Sequence, residues 1–513
     1  MSESVQRYRQ ESSKALQGGG AEAIKKQHAK GRLTARERID ALADPGSFVE
    51  LDRFMSTRCH DFGLDKKQLY GDGVVTGQMR VNGQKVFVSS QDFTVMGGAL
   101  GEAHSLKMVK VLELAAQTGA PFISINDSGG ARIQEGVDSL EGYGRIFRSN
   151  TLASGVIPQI SLILGPCAGG AVYSPGITDF VYMVKDVGQM FITGPEVIKA
   201  VTGEEVSFET LGGARVHSEL SGVAHFELES EKACFQHVRR LLSFLPSNFR
   251  ECAPRASEVD EPPSAEQIDA IVPENAKASF DVCDFIHAIV DRGEFLEVHE
   301  RFARNVVVGF GRFDGHTVGI VANQPAHLSG ALDIDASDKM ARFVRFCDAF
   351  NIPLLTLVDV PGFLPGVDQE HHGIIRHGAK VLYAFSEATV PKVSLILRKA
   401  YGGAFVALCS RAMAFDRVLA LPSAQIAVMG PEGAVNILYR REIAAADDKE
   451  GKRREYAQAY EEKFASPYAA AKIGAVDNVI EANQARRELC AAFEMLRNKR
   501  PNRVARHHGN IPL

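Results

Sequence analysis

Gly165-Pro166-Cys167-Ala168-Gly169-Gly170-Ala171-Val172-Tyr173 follows an apolar run, Ile160 to Leu164, and opens a helix-like segment. The run reads as a buried strand. Two adjacent glycines where such a strand turns into a helix leave backbone N–H groups uncovered by any Cβ, so a ligand can approach them closely. The same arrangement returns further on, where Val393 to Leu397 is followed by Tyr401-Gly402-Gly403-Ala404-Phe405.

This is one point of a longer repeat. Gln91 matches Gln324, Gly98-Ala99 matches Gly330-Ala331, and Lys107-Met108 matches Lys339-Met340. Pro121 and Asp127 recur as Pro353 and Asp359 at a shift of 232 residues. Pro158 recurs as Pro391, and Gly169-Gly170 as Gly402-Gly403, at a shift of 233. Gly194-Pro195-Glu196 recurs as Gly430-Pro431-Glu432 at a shift of 236. An offset this constant marks a duplication. Strand-like runs at 121–127, 160–164, 180–184 and 190–193 alternate with helical periodicity such as Leu106 to Thr118. Each copy is therefore expected to be an α/β domain.

Length agrees, since 513 residues exceed one core and suggest two domains of about 200 to 250 residues. The stretch 253–275, rich in Pro, Glu, Ser and Asp with Pro262-Pro263 at its centre, is the expected linker. The expected domains are 1–252, which includes a charged helical extension to about residue 45, and 276–513. Within the extension, Thr34 and Glu37 have capping-box spacing. The cations Lys25, Lys26, Lys30, Arg32, Arg36 and Arg38 have acidic neighbours and read as a solvated helix face rather than a phosphate site. Asn82-Gly83 marks a hairpin. The cationic end, from Arg497 through His508, reads as a solvated terminus or a subunit contact.

Composition excludes several functions. A net charge of −5 gives no overall nucleic-acid footprint. No apolar run reaches the roughly 20 residues of a membrane span, and Met1 to Gln10 lacks an export signal's apolar core. A cytoplasmic protein is expected. Eight scattered cysteines include no C-x-x-C pair, so no metal is expected on them.

Gly165-x-Cys167-x-Gly169 superficially resembles a nucleophile elbow, but the repeat places Ala400 opposite Cys167, and no His and carboxylate are identified by spacing. Asp127 and Asp359 end strands and read as turn caps. His371, His372 and His377 lack a ligand pattern and read as a segment lining a site. Lys107 sits in a helix and lacks the hairpin context of a biotinyl lysine. The duplicated glycine turns remain the best chemistry, as paired N–H donors to developing oxyanions.

Several stretches resemble the carboxyltransferase β subunits of biotin-dependent acyl-CoA carboxylases, the propionyl-CoA type in particular. They are Lys30-Gly31-Arg32-Leu33-Thr34-Ala35-Arg36-Glu37-Arg38-Ile39, Asp127-Ser128-Gly129-Gly130-Ala131-Arg132, the Gly165–Ala171 turn, Gly373-Ile374-Ile375-Arg376-His377-Gly378-Ala379-Lys380 and the ending His508-Gly509-Asn510-Ile511-Pro512-Leu513. The resemblance implies two tandem crotonase-like (ββα-superhelix) domains. It implies transfer of a carboxyl group from carboxybiotin, carried on a separate biotin carboxylase/carrier partner, to the α-carbon of an acyl-CoA. Gly169 and Gly170 would then serve one carbonyl, the thioester in our assignment, and Gly403 and Ala404 the other, that of biotin. Gly129, Gly130 and Ala131 would bind substrate. Similar proteins form ring-shaped hexamers with sites between the N-domain of one subunit and the C-domain of another. The chain departs from propionyl-preferring relatives after the second turn: where they place an aromatic residue and then Asp, it reads Phe405-Val406. A broader acyl preference is expected. The nearest alternative is the carboxyltransferase subunit of a biotin-dependent decarboxylase of the methylmalonyl-CoA type.

Overall fold

The computed structural model describes residues 2–67, 69–257, 265–500 and 509–510. Its contacts divide the chain into two compact units, Met1–Cys252 and Ala253–Leu513. Pro262-Pro263 and the cations Arg503 to His508 lie outside the described residues. Part of the stretch expected as a linker is ordered. Ala265–Asp269 is a helix, and Ile268 and Val272 are buried in the core of the second unit.

Each unit is built on an eight-stranded sheet. In the first, β1 (Val49–Leu51), β2 (Val74–Val81), β3 (Gln84–Gln91), β4 (Phe122–Ser128), β5 (Gln159–Ala168), β6 (Phe180–Val184) and β8 (Phe226–Leu228) follow one another across the sheet, while β7 (Gln189–Phe191) pairs with the far end of β5. In the second, β9 (Leu296–Val298), β10 (Val306–Phe313), β11 (His316–Asn323), β12 (Leu354–Val360), β13 (Lys392–Tyr401), β14 (Arg417–Ala420) and β16 (Asn478–Val479) repeat that path, and β15 (Gln425–Ala427) pairs with the far end of β13. The first three strands of each unit are antiparallel and the later pairings parallel. The expectation of two α/β copies holds, and the fold is crotonase-like.

Local signals explain several elements. Asn82 and Gly83 both take positive φ (51° and 79°) between β2 and β3, as a two-residue hairpin requires. The Thr34 hydroxyl accepts the Glu37 N–H while the Glu37 carboxylate accepts the Thr34 N–H at 2.7 Å, a complete capping box for the helix Ala35–Leu42. Lys107 and Lys339 are buried at matching places in the two copies. Each ammonium donates to loop carbonyls, Gly71 and Val74 in the first unit and His299, Phe302 and Val306 in the second. Burial pushes both down to about 8.

One boundary differs from expectation. The strand expected at 160–164 continues to Ala168, so Gly165 lies in the strand and the turn begins at Gly169. The ladder to β4 shifts register beyond Asn126, and β5 then gains β7 as a new neighbour at Pro166, Cys167 and Ala168. The second unit does the same, with β13 shifting beyond Val358 and gaining β15 at Lys399, Ala400 and Tyr401.

Candidate functional site

The two glycine turns are built alike. β5 ends at Ala168, Gly169 takes φ +60°, and the chain winds through Gly169–Val172 into the short helix Tyr173–Ile177. β13 ends at Tyr401, Gly402 takes φ +56°, and the chain enters the helix Gly402–Cys409. That left-handed residue reverses the strand sharply, and glycine adopts it without strain. The next two residues lie in the opening helical turn, and their N–H groups stand at its N-terminal end. Matching Gly169 with Gly402 pairs Gly170 with Gly403 and Ala171 with Ala404. Ala171 thereby joins Gly169 and Gly170 as a candidate. The shift of 233 already pointed to it as the counterpart of Ala404.

Each turn lies under an aromatic ring, but the rings come from different places. A Cβ at Gly170 would stand 2.9–3.1 Å from the ring of Tyr143, on the helix Val137–Ala153. A Cβ at Gly403 would meet the Phe363 ring at 3.7–3.8 Å, ordinary contact. Phe363 occupies the place of Ala131, as the matching bridges Leu100 to Ala131 and Leu332 to Phe363 show. Small Ala131 in the first unit leaves the ring's place to Tyr143, whereas in the second the ring sits on Phe363. Gly170 therefore admits no side chain, while Gly403 is exposed and admits a small one.

The loop Gly129-Gly130-Ala131 follows β4. Its Gly129 N–H donates to the Gly97 carbonyl at 2.9 Å, and the Gly130 N–H to the Ser128 hydroxyl at 3.1 Å. The first donor ties the loop to the Met96–Gly98 turn and the second closes the loop on itself, so both are used within the unit. Arg132, fully buried, fixes the loop through Asp72 at 2.6 Å and Glu135 at 2.8 Å.

Beneath the turns, the strand-end aspartates are locked in buried ion pairs rather than acting as simple turn caps. Asp127 pairs with Arg38 at 2.8 Å, and the same guanidinium binds Glu231 (2.9 and 3.1 Å) and the Leu164 carbonyl (2.5 Å). Asp359 pairs with Arg398 at 2.6 and 2.9 Å. Arg398 stands in β13 where the first copy has Gly165, at the same shift of 233. A Cβ at Gly165 would fall 1.9 Å from Asp127 Oδ1, so the first copy has no room for an arginine there. Arg38 reaches in from the N-terminal extension instead. The expected solvated face of the extension is corrected accordingly: Arg38 is 1% exposed, and Arg36 binds Glu50 at 2.7 and 3.0 Å.

Of the remaining candidates, Cys167 falls away from chemistry. Cys167 is fully buried, and burial pushes its thiol far up, which leaves no thiolate to attack. His377 is held by Asp338 at 2.8 Å and His372 by Asp368 at 3.1 Å. Phe405 is half-buried, and Val406 beside it is 41% exposed on the helix of the second turn. No helix among the described residues is long and apolar enough to cross a membrane.

The carboxyl transferase domain model matches residues 26–511, nearly the whole chain, both turns included. The chain belongs to the carboxyl transferase family. It is 55% identical to the carboxyltransferase subunit of propionyl-CoA carboxylase from Haloferax mediterranei, covering 100% of both chains. It is also 55% identical to the methylmalonyl-CoA decarboxylase α subunit of Veillonella parvula, covering 100% of this chain and 99% of that one. Among solved structures it resembles the transcarboxylase 12S hexamer crystallised with methylmalonyl-coenzyme A, at a TM-score of 0.96 and 52% identity over 99% of this chain and 98% of the other. The chain is a carboxyltransferase subunit of the acyl-CoA carboxylase type.

Proposed function

We propose that the two glycine turns are the two oxyanion sites of carboxyl transfer from carboxybiotin to the α-carbon of a short-chain acyl-CoA. The observation that carries this reading is the duplicated turn, with its matching φ of +60° and +56° and two small residues opening a helical turn in each copy. Carboxybiotin, delivered by a biotinylated partner subunit, supplies the carboxyl group. Transfer places negative charge on the thioester oxygen and on the ureido oxygen, and each charge needs donors positioned before it develops. The Gly170 and Ala171 N–H groups, set by Gly169, face the thioester oxygen. Those of Gly403 and Ala404 face the ureido oxygen. Both turns fit their groups: a planar carbonyl can lie against backbone that carries no side chain or only a methyl. No side-chain base is required, because biotin that has lost its carboxyl group accepts the α-proton.

The active form is a homohexamer working in the cytoplasm with a biotin carboxylase/carrier partner. The transcarboxylase 12S resemblance supports the hexamer, since that structure is one. The equal identity to a decarboxylase subunit supports a second reading, the same half-reaction run toward biotin. The identity of the biotinylated chain that co-purifies separates the two.

Val406, apolar and exposed beside the second turn, favours a broad acyl range. Reconstitution with a biotinylated partner and a panel of acetyl-, propionyl- and butyryl-CoA tests function and preference together. Comparable kcat/KM values are expected across the panel. Val406→Asp, nearly isosteric but charged, is expected to narrow the panel toward propionyl-CoA by roughly tenfold, the lower end of what a pocket discriminates between substrates that differ by one methylene. A sharp propionyl preference in the unaltered chain contradicts the proposal for Val406.

A further inference from the structure

Lys339 lies on the helix Ile334–Ala349 and is 2% exposed. Its ammonium donates to the carbonyls of His299 at 2.9 Å, Phe302 at 2.8 Å and Val306 at 2.6 Å, with that of Ala303 at 3.4 Å. The loop 299–306 is thus wound around one buried cation. It is also held in a costly shape. His299 and Ala303 take φ of +57° and +45°, the left-handed region that a residue with a Cβ seldom enters.

From that loop a short path leads to the second glycine turn. The Asn305 side chain donates to the Ala331 carbonyl at 2.7 Å and to Asp333 at 3.1 Å. The next residue after Ala331, Leu332, bridges Phe363 and donates to the Gly362 carbonyl at 3.0 Å. The Phe363 ring in turn stands 3.7–3.8 Å from where a Gly403 Cβ would be. A shift of the loop is passed along this path to the ring beside the turn.

Lys107, the counterpart in the first unit, binds only the Gly71 and Val74 carbonyls. The difference matters when a proton is lost, because a neutral amine keeps two N–H donors and gains a lone pair. Two donors still serve both carbonyls at Lys107. At Lys339 they leave a carbonyl facing the lone pair, and the loop must rearrange. Glu297 on β9, Glu300 in the loop and Cys283 on the helix Val282–Ile289 face Lys339 and favour its charged form. Arg304 and Asp281 face Glu297, and the His299 ring packs on Phe302 with centres 5.8 Å apart. Burial outweighs the acids and lowers Lys339 to about 8.

Resting on the oxyanion reading of the turns above, we propose that Lys339 is a positioning residue for the second turn. Its charged ammonium fixes the loop 299–306 and, through Asn305 and Leu332, the Phe363 ring beside the Gly403 and Ala404 donors. The transfer itself uses no titrating side chain, so the rate reports on Lys339 at alkaline pH.

The test is the pH profile of transfer of a radiolabelled carboxyl group from methylmalonyl-CoA to biotin by the purified full chain, from about pH 6 to 10, with kcat separated from KM. In the unaltered chain kcat is expected to fall roughly tenfold per pH unit above about 8, with the thioester KM constant within a factor of about two. Lys339→Arg stays charged across that range and is expected to be slower at neutral pH but to lose no rate at alkaline pH. Lys339→Met is expected to be slower by about 100-fold at every pH, the cost of a donor misplaced by about 1 Å. Lys107→Met is expected to keep the alkaline fall. A flat profile in the unaltered chain overturns the proposal, as does an undiminished alkaline fall in Lys339→Arg or its disappearance in Lys107→Met. So does a Lys339→Met chain that loses stability but keeps kcat; if that variant does not fold, the unaltered chain and Lys339→Arg decide. Absence of transfer at every pH overturns the carboxyl-transfer reading itself, a different result.

Discussion

Arg38→Met is expected to unfold the first unit well before the second. Arg38 is 1% exposed and is bound to both Asp127 and Glu231. Removing it leaves two carboxylates buried without a counter-charge, which costs about 3–5 kcal/mol. For a unit of this size that is a fall in Tm of roughly 10 °C or more. The second unit is untouched, because Asp359 is served by Arg398 and, at 3.3 Å, by Lys399. Calorimetry should therefore show a lowered transition parting from an unchanged one. Arg38→Lys keeps the charge but cannot reach the carboxylates and the Leu164 carbonyl together, so an intermediate loss is expected. A single unshifted transition in Arg38→Met would mean that the ion pair contributes little to the unit.

Gly170→Val is expected to lower kcat by about 100-fold or more, the scale of losing an oxyanion donor. The N–H remains, but the new side chain enters space held by the Tyr143 ring, whose atoms stand 2.9–3.1 Å from the Cβ. Tyr143 is buried and packed on Phe147, with ring centres 5.8 Å apart, so it yields only by disturbing the helix that carries it. Either the ring or the turn must shift, and a shift of a few tenths of an ångström misaligns a donor. Carboxyl transfer in the reconstituted complex measures the loss, and a variant of full activity would remove the first turn from the chemistry.

The fold was legible because the duplication is carried by residues whose backbone roles are fixed: the glycine turns, Asp127 and Asp359, Lys107 and Lys339. The harder features lay where the copies differ. Arg38 sits in a run of cations whose local pattern matches a solvated helix face, and its partners are 89 and 193 residues away. The only trace in the sequence is that Gly165 replaces the arginine found at 398. The aromatic cover of the turns was likewise hidden, because Tyr143 and Phe363 do not occupy equivalent positions and neither copy foretells the other. The end of β5 was misread because Gly165-Pro166 looks like a turn, whereas β7 pairs with Pro166 and keeps the strand extended.

The most direct test of two cooperating turns is movement of a radiolabelled carboxyl group from methylmalonyl-CoA to biotin, comparing the purified full chain with Gly403→Val. Gly403 is exposed and has only ordinary contacts, so this substitution leaves the fold intact and places a branched side chain over the Gly403 and Ala404 donors. The account predicts thioester binding within a factor of about two of the unaltered chain and label transfer reduced about 100-fold. Equal label transfer by the two proteins would contradict it.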